Sequence, residues 1–276
     1  MPRPWTVLPH GPLEKLEPNL WTVEGTIKMP AGELSRRMCI ARLGDGRLLL
    51  MNGVPLREEA MREVEAFGKP AFLLVPNGYH RLDIAAYKQR YPQLRVLAGE
   101  GSRKRVEEKV PVDGSWNDAP RDPEVSVESL GGTKVDEAVV SVRSGGRVSL
   151  CFFGDALMNL PHKPGLGGLL FRLLASSGRA RVTPIARWFV VGDRSVFREH
   201  LLRLAGRPGL ERLVPCHGRP GGGRRTHRPA PRRGGTVAAH SRGRMRYPTN
   251  RGSDPSRAKY GFFSRSRAML ETGTSP

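Results

Sequence analysis

The sequence predicts an α/β protein built from two mixed β-sheets with helices packed on their outer faces. Residues 148–153 form a short apolar run next to glycines, which is typical of a fully buried strand, and the run leads into Gly154-Asp155. The predicted elements are a hairpin, an alternation of helices and strands, three strands in succession, and further helices with a last strand. This order is not the plain alternation of one parallel sheet, so two facing halves fit it best.

Strands dominate the first fifty residues. Residues 19–27 are rich in β-forming side chains and predict a strand. Two apolar runs, 37–43 and 47–51, flank Gly44-Asp45-Gly46, which is the clearest hairpin signal in the chain. Residues 56–67 then place apolar side chains at helical spacing, and the helix is expected to end at the following glycine.

Helices and strands alternate in the middle of the chain before the strands return. Residues 71–75 predict a buried strand, and a helix is expected from Asp83 to the Tyr91-Pro92 pair. Residues 111–123 carry the loop formers Pro, Asp, Gly and Asn. The other predicted strands are 94–98, 125–130, 138–142, 148–153 and 213–215, and the other predicted helices are 166–175 and 195–204.

Composition limits the classes to which the protein can belong. A chain of 276 residues is long enough to bury a large core. Its three cysteines, Cys39, Cys151 and Cys216, lie in apolar runs without CxxC spacing, which indicates reduced thiols and a cytoplasmic protein. No stretch approaches 18 apolar residues, and the start lacks the apolar core of a signal peptide. We therefore expect no membrane partner.

The net charge of +20 is concentrated at one end. Residues 221–276 hold 13 Lys and Arg against 2 Asp and Glu, whereas residues 1–220 hold 33 against 24. The C-terminal segment is rich in Arg, Gly and Pro and has no apolar period, so we predict a domain at 1–220 and a disordered basic tail at 221–276. Three interpretations of the tail stay open: a nucleic-acid-binding segment, a solvated tail without a partner, and an out-of-frame extension.

The order of three short motifs resembles the metallo-β-lactamase superfamily. Gly131-Gly132-Thr133 falls where that superfamily has Pro-Gly-His-Thr, with Gly132 at the position of the histidine ligand. Gly154-Asp155 matches its strand ending in Gly-Asp, and His217-Gly218 matches its final histidine. The resemblance covers residues 18–220 and implies a four-layer αββα sandwich with metal ions at the sheet ends.

The loop that should carry the His-x-His-x-Asp-His pattern departs from it. Aligning Asn77 with the first histidine puts Tyr79 and Arg81 at the next ligand positions, so none of the three histidines of the first metal site stands in register. The second site keeps Asp155 and His217, joined by His80 or Asp83. The chain resembles a bacterial branch of the superfamily that shares this degenerate loop.

The resemblance implies a hydrolase with one metal ion instead of two. A catalytic zinc takes about three protein ligands, and His80, Asp155 and His217 supply that set for one zinc or iron ion. His80 and Asp155 are also the candidate catalytic residues, in the hydrolysis of an ester, amide or lactone bond of an unknown small molecule. The candidate substrate-binding residues are Asn77, Tyr79 and His162.

Two other functions compete with hydrolysis. The chain is alternatively a metal-free binding or scaffold protein of the same fold, or a nucleic-acid-associated protein acting through residues 221–276. Cys216 directly precedes His217, and because adjacent strand residues point to opposite faces, the sequence predicts a poor nucleophile–base pair.

Overall fold

The computed structural model describes residues 4–29, 32–162, 164–173 and 177–222. They form two mixed β-sheets with helices, in agreement with the predicted sandwich class. The strands are β1 Glu14–Glu17, β2 Leu20–Met29, β3 Gly32–Arg42, β4 Arg47–Met51, β5 Lys69–Val75, β6 Arg95–Ala98, β7 Val125–Ser129, β8 Ala138–Ser144, β9 Arg147–Phe152, β10 Met158–Asn159, β11 Leu210–Pro215, β12 His217–Gly218 and β13 Gly221–Gly222. The helices are α1 Glu58–Phe67, α2 Ile84–Arg90, α3 Arg103–Glu107, α4 Gly165–Leu173, α5 Pro184–Phe189 and α6 Arg194–Ala205.

The first sheet follows the chain, in the order β1-β2-β3-β4-β5-β6. Its first four strands are antiparallel neighbours, whereas β4, β5 and β6 run parallel. Parallel neighbours require a crossover, and α1 and α2 provide the two crossovers. The carboxyl ends of β4 and β5 therefore lie side by side.

The second sheet has the order β13-β11-β9-β8-β7. β9 and β11 run parallel, and the long connection between them contains α4, α5 and α6. At their carboxyl ends a short parallel pair, β10 with β12, extends the structure. α6 lies along this sheet, since Arg207 and Arg203 hydrogen-bond Glu128 of β7. Its first turn is capped by the Asp193 carboxylate, which accepts from the backbone N–H groups of Ser195 and Val196.

Strand β4 shows why the core has two layers. Its alternating apolar residues divide between two clusters, as the period of two in a strand requires. Leu48 and Leu50 pack with α1 and α2 on the outer face, whereas Leu49 and Met51 pack between the sheets with residues of β8 and β9. All four side chains are fully buried. A strand that is apolar on both faces belongs at the centre of a layered α/β structure.

Most predicted elements are present, and a few were missed. β1, α3, α5 and the two-residue strands β10, β12 and β13 were not predicted, and residues 37–43 are part of a longer strand that starts at Gly32. Gly221 and Gly222, the first residues of the predicted tail, pair with β11 as β13. Residues 223–276 and the end of the predicted helix 166–175 lie outside the described residues, so the tail stays a prediction. No helix of the described residues is long and apolar enough to cross a membrane.

Candidate metal centre

The polar residues of the site lie where parallel strands of both sheets end. Asn52 follows β4 and Asn77 follows β5 in the first sheet. Asp155 comes three residues after β9, and Cys216 and His217 come directly after β11 in the second sheet. Carboxyl ends of parallel strands are the usual position of ligand sites in open α/β sheets. The two sheets here bring two such edges together.

His80 and His217 both contact the same oxygen of Asp155. The Nε2 atom of His80 lies 3.2 Å from Asp155 Oδ1, and the Nε2 atom of His217 lies 3.1 Å from it. The two imidazole rings are inclined at 59° with centroids 5.3 Å apart. His80 and His217 are nearly buried, and the Asp155 side chain is 22% exposed. The three residues that the sequence singles out therefore converge, with the carboxylate open to solvent.

The other nitrogen of each imidazole faces an oxygen acceptor. His217 Nδ1 lies 2.6 Å from the backbone carbonyl oxygen of Ser35. His80 Nδ1 lies 3.3 Å from Oδ1 of Asn52, whose amide nitrogen donates to the Arg37 carbonyl and to Cys216. A carbonyl oxygen only accepts, so each Nδ1 carries a proton; in the absence of a metal ion each Nε2 carries one as well and donates to Asp155 Oδ1.

Asp155 is itself held by a second, buried carboxylate. Glu137 Oε1 accepts from the Asp155 backbone N–H at 2.9 Å, and Oε2 accepts from the Ala156 N–H at 2.9 Å. Asn77 Nδ2 donates to Glu137 at 2.7 Å and to the Asp155 carboxylate at 3.0 Å. Gly154 is required here, because a Cβ atom would lie 2.5 Å from the Glu137 carboxyl carbon.

The charges of this cluster shift the pKa of each member. Burial acts to lower the pKa of His80, but Asp155 and Cys216 together raise it to about 10. Burial likewise opposes the charge of His217, and Cys216 and Asp155 raise its pKa well above the usual range. The two histidines outweigh burial and hold the pKa of Asp155 well below its ordinary value. Burial and the charge of Asp155 raise the pKa of Glu137 to about 7.

Cys216 belongs to the cluster, contrary to the alternation argument made from sequence. Strand β11 ends at Pro215 and β12 begins at His217. Cys216 lies in the bend between them, where the alternation of side chains along a strand does not apply. Its Sγ accepts from Asn52 at 3.0 Å and lies 3.8 Å from His80 Nδ1. Burial acts to raise its pKa, but the two histidines lower it to about 5.

Comparison with solved structures places this architecture in a known class. A metallo-β-lactamase from Pontibacter korlensis superposes with a TM-score of 0.54 at 16% identity, over 76% of this chain and 92% of that chain. A metallo-β-lactamase from Pseudomonas aeruginosa in a mono-zinc form gives 0.51 at 14% identity, over 78% and 91%. One from Hirschia baltica gives 0.51 at 14% identity, over 77% and 93%. The protein has the metallo-β-lactamase fold.

The likeness lies in the structure, since no protein-family model and no curated protein matches the sequence significantly. Gly132, which the sequence resemblance places at the histidine of Pro-Gly-His-Thr, has no room for a side chain. Gly132 has φ +79°, and a Cβ atom there would lie 2.4 Å from the Asp193 carbonyl oxygen and 2.6 Å from the Phe197 nitrogen. The start of α6 thus fills the space in which a side chain at 132 would have to lie.

The other predicted residues have different surroundings. Asn77 is fully buried, between Glu137 and Asp155. Tyr79 is 65% exposed, with the Arg105 guanidinium 4.9 Å from its ring centroid. His162 is exposed and hydrogen-bonds the Ser177 hydroxyl at 2.9 Å. Asp83, which was considered as a partner of His217, instead forms a buried ion pair with Arg36 at 2.6 Å.

The donor set of the site, two imidazoles and a carboxylate, is one that a zinc or iron ion can use. With ligand bonds of about 2.1 Å, tetrahedral donor atoms lie roughly 3.4 Å apart, close to the two contacts made by Asp155 Oδ1. A different group, His80, Cys216 and His217, also has donor atoms within 4.8 Å of one another, so Cys216 competes with Asp155 for the third ligand position. A histidine ligand normally donates its second N–H to an oxygen, as Ser35 and Asn52 allow here.

Sequence reasoning missed Glu137 and Asn52 and discounted Cys216. Two signals for them are present in the chain. Glu137 is an acidic residue directly before a predicted buried strand, and Asn52 follows a strand and has φ +59°. Neither signal identifies the residues that Glu137 and Asn52 contact, because those residues are distant in sequence.

Proposed function

We propose that the protein is a metal-dependent hydrolase that uses a single zinc or iron ion to cleave an ester, amide or lactone bond. The observation that carries this proposal is the shared contact of two Nε2 atoms with one Asp155 oxygen. His80, Asp155 and His217 would hold the ion. When bound, such an ion acts as a Lewis acid and brings the pKa of water toward about 7.

Hydrogen bonds from neighbouring residues fix the orientation of the candidate ligands. Ser35 and Asn52 fix the tautomer and direction of the two imidazoles. Glu137 fixes the backbone at Asp155, so the carboxylate meets both histidines. The Asp155 side chain is partly exposed to solvent, so a small ester or amide can approach it from that side. Asp155 is thus the group of the site that an incoming water or substrate would meet first.

A metal analysis of the purified protein tests the proposal. We expect one zinc or iron per chain, and a loss of metal affinity of more than about 100-fold in Asp155→Ala and His217→Ala, because even outer partners of a metal are worth 10–100-fold. His200→Gln is the matched control, since His200 bonds Gly131 and Arg203 outside the site. Hydrolysis of p-nitrophenyl acetate should follow metal content across these variants.

A metal-free binding protein is the second candidate, and one observation favours it. The imidazoles, Asp155 and Glu137 satisfy one another by hydrogen bonds and opposite charges, so the cluster is stable without an ion. Wild-type protein that contains no metal after dialysis against zinc, and that does not hydrolyse the ester, would reject the hydrolase and leave this candidate.

A further inference from the structure

A long stretch of the second half of the chain contains no acidic residue. Between Asp155 and Asp193 the sequence has five Lys and Arg and no Asp or Glu, whereas the whole chain has 26 Asp and Glu in 276 residues. This stretch contains β10, α4 and α5. Its net positive charge suits an anionic partner.

The two helices of this stretch also expose large apolar side chains. Across the whole described chain, isolated cases such as Val7 and Leu82 are 41% and 43% exposed, which is ordinary for a protein surface. Four of the eight large apolar side chains that are exposed in the described residues lie on α4 and α5, and such a concentration is typical of an interaction surface. They are Leu169 at 51%, Leu173 at 75%, Trp188 at 77% and Phe189 at 64%.

The chain between α4 and α5 is hydrogen-bonded to β10 and to Leu160, the residue that follows it. The Gly178 N–H donates to the Leu160 carbonyl at 2.7 Å, so the excursion that contains α4 returns close to where it left. Arg181 then pairs with Met158 through two backbone hydrogen bonds of 3.0 and 2.9 Å. Met158 lies beside His217 in the parallel β10–β12 pair. The segment that joins the two helices is therefore hydrogen-bonded to a strand that pairs with His217.

Arginines accompany the exposed apolar residues. Arg172, Arg179 and Arg187 are exposed. Burial lowers the pKa of Arg181, and the like charges of Arg179 and Arg187 lower it further. Such mutual repulsion is relieved when an anion approaches.

We propose that the exposed side chains of α4 and α5 together form one surface, the α4–α5 face, which docks on an anionic lipid bilayer. The face consists of Leu169, Arg172, Leu173, Arg187, Trp188 and Phe189. Leucine and aromatic side chains beside arginines are the composition of segments that lie in the headgroup region. A nucleic acid would use the arginines but not the exposed leucines. A second copy would bring like charges together. Surface binding needs no spanning helix, and it does not depend on the proposed hydrolase activity.

Tryptophan emission measures this docking on the full chain. Trp188 is the exposed tryptophan of the described residues, whereas Trp5, Trp21 and Trp116 pack against the core. Residues 223–276 contain no tryptophan, so their binding to lipid gives no such signal. We expect vesicles of phosphatidylcholine with phosphatidylglycerol to shift the emission to shorter wavelength, and pure phosphatidylcholine vesicles not to. Trp188→Phe should abolish the shift.

A double variant distinguishes lipid binding by the α4–α5 face from lipid binding by the basic C-terminal segment. Leu173→Ser with Phe189→Ser keeps Trp188 as reporter and should weaken the vesicle affinity roughly ten-fold or more. Leu82→Ser is the matched control, an exposed leucine outside the face, and should leave the affinity unchanged. An absent shift, an equal shift with neutral vesicles, or unchanged affinity in the double variant would overturn the proposal. A lipid-free shift that grows with protein concentration would also overturn it, in favour of self-association.

Discussion

Asn77 joins the carboxylates of Glu137 and Asp155 through one amide group. Its Nδ2 lies 2.7 Å from Glu137 Oε1 and 3.0 Å from Asp155 Oδ2, while its Oδ1 accepts from the Tyr79 N–H at 2.9 Å. Asn77 occupies the position at which the resemblance places the first histidine ligand. One uncharged amide nitrogen thus donates to both carboxylates.

Removing this amide should destabilise the fold. Asn77→Ala removes the side-chain donor to Asp155 Oδ2 and one of the two donors to Glu137 Oε1, which we expect to cost about 1–3 kcal/mol in the free energy of unfolding. Asn77→Asp should cost more, since it adds a third carboxylate. Urea unfolding measures both. Asn117→Ala, at an exposed asparagine, should change the midpoint little; equal effects at the two sites would contradict the role given to Asn77.

Gly132 and Gly146 form a matched pair of glycines. Both have positive φ, +79° and +80°, but only at Gly132 would a Cβ atom collide with backbone, since Gly146 has no atom within 4 Å of that position. Gly146→Ala should therefore cost about 1 kcal/mol of strain, and Gly132→Ala several kcal/mol. Thermal unfolding of the two variants tests this, and similar losses would mean that the space at 132 adapts.

Cys216 should not be a metal ligand in the set that contains Asp155. Its sulfur accepts from Asn52 and lies against Nδ1 of His80, whereas Nε2 of that ring faces Asp155. We expect Cys216→Ser to keep one metal per chain. We also expect cobalt-substituted protein to lack the near-ultraviolet band of a sulfur–cobalt bond. A band that disappears in Cys216→Ser and persists in Cys151→Ser would place the sulfur in the ligand set.

Glu17 connects the start of the first sheet to the second. Its buried carboxylate contacts Arg147 and Arg212, each at 2.6 Å. Burial opposes its ionisation, but hydrogen bonds from these two arginines lower its pKa below the ordinary value. A lowered pKa means that the pair stabilises the fold above about pH 4.3, the pKa of glutamate in an unfolded chain, and that this contribution is lost as pH falls through the folded pKa.

Glu17→Gln should consequently lower stability at pH 7 by about 2 kcal/mol and reduce the acid sensitivity of unfolding. Denaturant unfolding at pH 7 and at pH 3 to 4 measures both effects. The control is Glu59→Gln on the exposed side of α1. If the difference in unfolding free energy between wild type and Glu17→Gln stayed constant over this pH range, the ionised carboxylate would not be the stabilising species.

Local patterns determined much of the fold. The apolar runs of β4, β5 and β9 are recognisable because a buried strand must exclude polar residues on both faces. The hairpin at Gly44-Asp45-Gly46 follows from turn chemistry alone. β1 and α5 were missed because they are short and partly exposed, so their pattern does not differ from that of a loop.

The sequence by itself determined that His80, Asp155 and His217 follow strands, and the tertiary structure decided that they meet. Two imidazole nitrogens share one Asp155 oxygen because the sheets bring together strand ends that are distant along the chain. The partners Ser35, Asn52 and Glu137 emerge only from that packing. Sequence patterns report burial and turns within a few residues, whereas a site of this kind depends on hydrogen bonds between segments far apart in sequence.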